Sequence, residues 1–114
     1  VIGVQSVRTN AMHAAFEAGH VVDVPVPPTL ADGLAGCTDD ATFQRARAVV
    51  DELLLVEEGE IAEAIRVLFE DEAVTVEGSG AVGVAALLSG RIKPRGPTAV
   101  ILTGGTSALR VVSA

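Results

Sequence analysis

The sequence predicts an α/β fold: three layers, with a mostly parallel sheet of about four strands flanked by helices. Two observations lead there. Short β-branched runs alternate with helical stretches of about ten residues, the order expected of βαβ units. The strand segments are apolar throughout instead of alternating with polar residues, which calls for helices over both faces. The length, 114 residues, fits one domain spanning 1–114, large enough to bury roughly 65% of its unfolded surface.

Each element has its own signal. Val1-Ile2-Gly3-Val4 reads as a buried strand. Asn10 to Ala18 reads as a helix, with Thr9 or Asn10 as N-cap and Gly19 as C-cap. Val21 to Val26 is β-like but contains Pro25 and runs into Pro27 and Pro28, so it is an edge strand or an extended loop. Leu30 to Asp40 is a loop carrying Asp32-Gly33. In Ala41 to Val50, Phe43, Ala46 and Val50 recur at i, i+3 and i+7, the spacing of a helix. Glu52 to Val56 holds Leu53-Leu54-Leu55-Val56, a second buried strand. Glu57 to Glu70 gives the clearest helix: Ile61, Ala64, Ile65, Leu68 and Phe69 form one stripe, and acids crowd the first turn, where the helix dipole favours them. Ala73 to Val76 is a short strand, Glu77 to Gly80 a tight turn, and Ala81 to Ser89 a helix stopped by Gly90. Pro94 to Pro97 is a turn and Thr98 to Leu102 the last strand. Residues 106–114 give no reading.

Composition excludes several functions. Apolar residues make up 49% of the chain, too many for intrinsic disorder. No apolar run approaches the roughly 18 residues of a membrane span. Fifteen acids against eight bases leave a net charge of −7, which argues against nucleic acid and anionic membranes. Phe16, Phe43 and Phe69 are the only aromatics, so a base-stacking platform is absent. Cys37 is the lone cysteine. It permits no internal disulfide and sits without an adjacent base or cation, so it reads as a small buried residue and not a nucleophile. His13 and His20 lie near a helix end, where a cation helps the dipole, and no metal site is expected. Nine of the fifteen acids fall between Asp51 and Glu72, a solvated helical face. The chain opens at Val1 with no basic-then-apolar leader. It is expected to be cytoplasmic, and processed or excised from something longer.

In open α/β sheets ligands bind beyond the carboxyl ends of the strands. Three such ends here are glycine-rich or polar: Asp32-Gly33, Glu77-Gly78-Ser79-Gly80 and Thr103-Gly104-Gly105. Gly78 to Gly83 satisfies G-x-G-x-x-G after a strand and before a helix. The dinucleotide version also needs an acid about 20 residues on, and no Asp or Glu follows Glu77. A tight strand-to-helix turn with small residues for close packing explains it as well.

Thr29-Leu30-Ala31-Asp32-Gly33-Leu34, Val76-Glu77-Gly78-Ser79-Gly80-Ala81 and Ala99-Val100-Ile101-Leu102-Thr103-Gly104-Gly105 occur in that order. Together they resemble the C-terminal third of the pyridoxal-phosphate threonine/serine dehydratases, the fold-type II family that includes serine racemase. Val1 to Gln5, the helix ending at Gly19 and Val56 to Ala62 also look like that family. The resemblance covers residues 1 to about 105. It implies three cofactor-binding residues. Gly33 is similar to the glycine beside the cofactor ring, where a flat ring can approach bare backbone; Asp32-Gly33 is otherwise a simple turn. Glu77 resembles the carboxylate at the active-site edge, against the plain reading of a helix-start acid. Thr103 resembles the hydroxyl residue, usually Ser, that meets the pyridine nitrogen; it is otherwise a polar strand end.

The departures from the family are as informative. Gln5 stands where many members carry Glu, Ser6 where many carry Pro, Gly78 where Pro is usual and Thr106 where Asn is common. A divalent-metal site found in some members of the family draws on the first of these regions and is therefore not carried over. Lys93, in the Arg91-Ile92-Lys93-Pro94-Arg95 turn, is the sole lysine. Neither the family's Ser-x-Lys-x-Arg segment nor its four-glycine phosphate loop occurs in these residues. The resemblance thus implies the C-terminal part of a pyridoxal-phosphate ammonia-lyase acting on threonine or serine, inactive alone, with no catalytic residue of its own and no cofactor held. A stand-alone non-catalytic binding or assembly domain derived from such an enzyme is the alternative. An exposed strand edge or helix flank predicts a homodimer.

Overall fold

The computed structural model describes residues 1–105. Strand β1 (Ile2–Ser6) pairs in parallel with β2 (Glu52–Val56), Ile2 opposite Glu52 and Ser6 opposite Val56. The chain between them forms α1 (Ala11–Ala18), a single 3-10 turn at Asp32–Leu34 and α2 (Asp40–Val49). Helices α3 (Glu58–Glu72) and α4 (Gly78–Leu88) follow β2.

The fold is α/β with a parallel sheet, but among the described residues the sheet has two strands where about four were expected. Val21–Val26, Ala73–Val76 and Thr98–Leu102 lie outside any ladder. Pro25, Pro27 and Pro28 have no N–H to give a ladder. Ala73 takes the left-handed conformation (φ 55°) that ends α3, and Val76 buries its side chain with no strand alongside. Residues 98–101 line a groove beside β1 without pairing to it. A strand needs a neighbour, and periodicity cannot say whether one is there.

Helix ends follow local chemistry. Gly19 (φ 81°) closes α1 in the left-handed region. Asn10 occupies the N-cap of α1 without a side-chain bond, and the Thr9 hydroxyl instead accepts from the Ser6 N–H at 3.2 Å. Asp39 caps α2, accepting from the Thr42 N–H at 2.7 Å. At the start of α3 the Glu57 N–H donates to the Glu60 carboxylate at 2.8 Å, half of a capping box. Of the expected turn at Glu77–Gly80, only Glu77, the extended N-cap, lies outside helix; α4 begins at Gly78, because Gly78 and Gly80 let it start against other backbone.

Ile61, Ala64, Ile65 and Leu68 of α3 pack on Ala81, Val82, Ala85 and Ala86 of α4, with Val56, Ala31 and Val76 in the same core. Burying a side chain the size of Ile or Leu contributes about 1.5–3 kcal/mol, so this seam supplies much of the stability. Small residues along α4 bring the two helices close. Phe43 of α2 is buried in an edge-to-face pair with Phe16 of α1, centroids 5.9 Å apart, outside that core. Among the described residues no helix is long and apolar enough to cross a membrane.

Candidate active site

Gly33, Glu77 and Thr103 come together around the N-terminus of α4. Helix α4 starts so close to the Leu30 segment that a Cβ on Gly78 would lie 1.9 Å from the Leu30 carbonyl oxygen. Two residues on, a Cβ on Gly80 would lie 1.7 Å from the Thr103 carbonyl oxygen. Both distances are far inside van der Waals contact, so only glycine permits this assembly. The Glu77 N–H donates to the Gly104 carbonyl at 3.2 Å. Gly104 has φ 72°, and a Cβ there would run into the Glu77 carboxyl. Glu77 is half-buried, and Gly33 and Thr103 are exposed on either side of it.

Gly33 has a reason to be glycine that the sequence does not show. A Cβ there would lie 2.7 Å from Ser79 Oγ and 3.8 Å from Glu77 Oε1. The chain's own atoms already fill the space beside it. Ser79 Oγ is the one buried side-chain oxygen without a hydrogen-bond partner among the described residues.

In sequence Glu58 is one acid among nine on a solvated helical face; the structure gives it more. Its Oε2 accepts from Ser6 Oγ at 2.5 Å and Thr29 Oγ1 at 2.9 Å, and its Oε1 accepts from the Leu30 N–H at 2.7 Å. Partial burial, the largest single influence, pushes the Glu58 carboxyl up. The donors from Ser6, Leu30 and Thr29 and the charge of Arg8 together outweigh it, and the carboxyl sits below its ordinary range. Glu58 thus fastens the loop leading to Gly33 onto the ends of both strands. The one local signal was its position just after β2.

The other singled-out residues lie elsewhere. Lys93 is exposed beside Val1, Ile2 and Glu52, where both strands begin. Gln5 accepts from the His13 N–H at 2.9 Å. Cys37, expected to be buried, is instead exposed in the loop before α2, on the rim of a cleft of about 240 Å3 with Gln5, Met12 and Asp39. Among the described residues no three His, Cys, Asp or Glu side chains are grouped as metal ligands. Thr106 lies outside the described residues.

The profile of one family, described as pyridoxal-phosphate dependent enzyme, matches residues 1–104. The chain belongs to that family. It is similar to an L-threonine ammonia-lyase of Geobacter sulfurreducens, 43% identical over 115 residues covering 99% of this chain and 29% of the relative. Maize serine racemase superposes with TM-score 0.74 at 31% identity, over 79% of this chain and 27% of that one. A fungal L-serine ammonia-lyase from Rhizomucor miehei superposes with TM-score 0.85 at 22% identity, over 99% of this chain and 39% of the other, a likeness of fold. The chain spans about a third of the length of the relatives it matches.

Proposed function

We propose that this chain is the C-terminal part of a pyridoxal-phosphate threonine/serine ammonia-lyase, forming one wall of the cofactor site and performing no turnover alone. The carrying observation is the convergence of Gly33, Glu77 and Thr103 on one exposed shelf at the start of α4, in a chain of this family. The shelf suits the cofactor through a carboxylate and a hydroxyl with no side-chain hydrogen bond to another described residue; at Gly33 the side a Cβ would take is filled by Ser79, so the ring would meet the other face of that backbone. When bound, pyridoxal phosphate supplies the electron-withdrawing ring that lets a β-hydroxyl leave an amino acid. Gly33 would lie against the ring, Thr103 would hold the ring nitrogen by its hydroxyl, and Glu77 would border the site with its negative charge.

The predicted inactivity rests on Lys93. It stands where the two parallel strands begin. The Leu30–Gly33 segment is tied by Glu58 to Ser6, where β1 ends. Five residues of strand separate these ends, at roughly 3.3 Å per residue, so Lys93 cannot reach the shelf. Purified chain supplied with pyridoxal phosphate should release no ammonia from L-threonine or L-serine. Turnover lost on changing Thr103 or Glu77 in this chain alone would overturn the reading. An in-frame Ser-x-Lys segment and glycine-rich loop upstream of Val1 would support an ammonia-lyase over a stand-alone non-catalytic module. The same proposal includes a cytosolic setting and a homodimer joined through the open edge of the sheet.

A further inference from the structure

We infer that Glu58 is a positioning residue: it holds the Pro28–Gly33 segment in register with the N-terminus of α4 and so sets where Gly33 sits. Its importance to catalysis rests on the function proposed above; the clamp itself rests on geometry alone. One carboxylate takes three donors from two separate stretches of chain: Ser6 Oγ at the end of β1, and Thr29 Oγ1 and the Leu30 N–H in the segment. A second tie runs in parallel, from Arg8 Nη1 to the Pro28 carbonyl at 2.8 Å. The Thr29 hydroxyl also accepts from the Ala31 N–H at 3.0 Å, so the hold extends towards Gly33.

The segment needs such a hold. It follows Pro27 and starts at Pro28, joins no ladder, and has one 3-10 turn of its own at Asp32–Leu34. Against it lies Gly78, where backbone meets backbone with no side chain between to take up slack. A small displacement of Leu30 would therefore pass directly to α4, Ser79 and Glu77. Arg8 is the charged group facing Glu58 from the β1–α1 turn, and the facing groups of Ser6, Thr29 and Leu30 are neutral. The ionised carboxylate is thus the form that accepts all three donors.

The test is amide hydrogen exchange on the 114-residue chain without ligand, comparing wild type with E58Q, E58A and T29V. In E58A the Leu30 and Ala31 amides should exchange about tenfold faster or more, the effect of losing a charge-assisted hydrogen bond. Amides inside α3, such as those of Ile65 and Leu68, should keep their protection. After correction for intrinsic rates, wild-type protection at Leu30 should fall as pH drops through the Glu58 titration, and in E58Q that dependence should vanish. Should E58A unfold as a whole, T29V decides: it should loosen Leu30 and Ala31 and spare α3. Unchanged protection at Leu30 in E58A, or in T29V where E58A is unfolded, overturns the inference. So does a pH dependence that survives in E58Q. No cofactor enters this measurement, so it stands or falls separately from the turnover assay.

Discussion

Two helical glycines should answer alanine in opposite directions. Gly59, in the first turn of α3, has open space where a Cβ would go. Gly59→Ala should raise stability by about 0.5–1 kcal/mol through helix propensity and a less free unfolded chain. At Gly78 the new methyl would meet the Leu30 carbonyl, part of the backbone, and could not be accommodated by a rotamer change. Gly78→Ala should cost about 1–3 kcal/mol, and urea unfolding midpoints would separate the two. Glu58 adds a pH signature. Its carboxyl titrates below the ordinary value of 4.5, so its contribution is present at pH above that ordinary value and is lost as pH falls through the lower folded one. Acid titration of stability should show this loss in wild type, and E58Q should flatten it. Gly33, Glu77 and Thr103 could be picked out because each belongs to a short motif contiguous in sequence. Glu58 could not: it bonds Ser6, 52 residues away, and local patterning sees only another acid in an acidic run.

Among the elements, the helices were legible and the outer strands were not. Of the expected α3 stripe, Ile61, Ala64, Ile65 and Leu68 are buried, because a helix satisfies its own backbone; Phe69, expected with them, is 45% exposed at the stripe's edge. Thr98–Leu102 has a β-branched sequence but no ladder partner among the described residues, so its strand signal goes unused. The α1–α2 pair shows how loosely one part of this chain depends on another. Its contacts centre on Phe43 against Phe16, with Arg47 over the Phe43 ring at 5.3 Å, apart from the α3–α4 core. Phe43→Ala should cost the α1–α2 pair about 3–5 kcal/mol and leave the α3–α4 core protected. Exchange should show α2 losing protection first, before α3 and α4. Simultaneous loss in all helices, at the same midpoint by every probe, would show one cooperative unit instead.

At the scale of the molecule, apolar surface is left where the sheet stops. Each of β1 and β2 has one edge with no ladder partner among the described residues. Beside β1 lies a groove of about 600 Å3 lined by Val1, Ile2, Val82, Leu87, Val100 and Ile101. Val1 is 73% exposed and Ile101 83%, with Ile2 at 44%. Covering several hundred Å2 of such surface, at about 25 cal/mol per Å2, favours association by many kcal/mol before the cost of immobilising two chains. A second copy offers the same groove and the same strand edge, and a twofold pairing closes both at once. The net charge of −7 opposes this, but salt limits that repulsion to about 10 Å at 0.1 M. The groove itself is lined mainly by uncharged residues. Light scattering at micromolar concentration should therefore give about twice the chain mass of 11.6 kDa. Ile101→Asp places a charge on the exposed side of the groove, where it disturbs no buried packing, and should shift the protein towards monomer while leaving its helical content intact. A wild-type monomer at that concentration would mean that the exposed edge is closed within the chain itself, and the homodimer reading would fall.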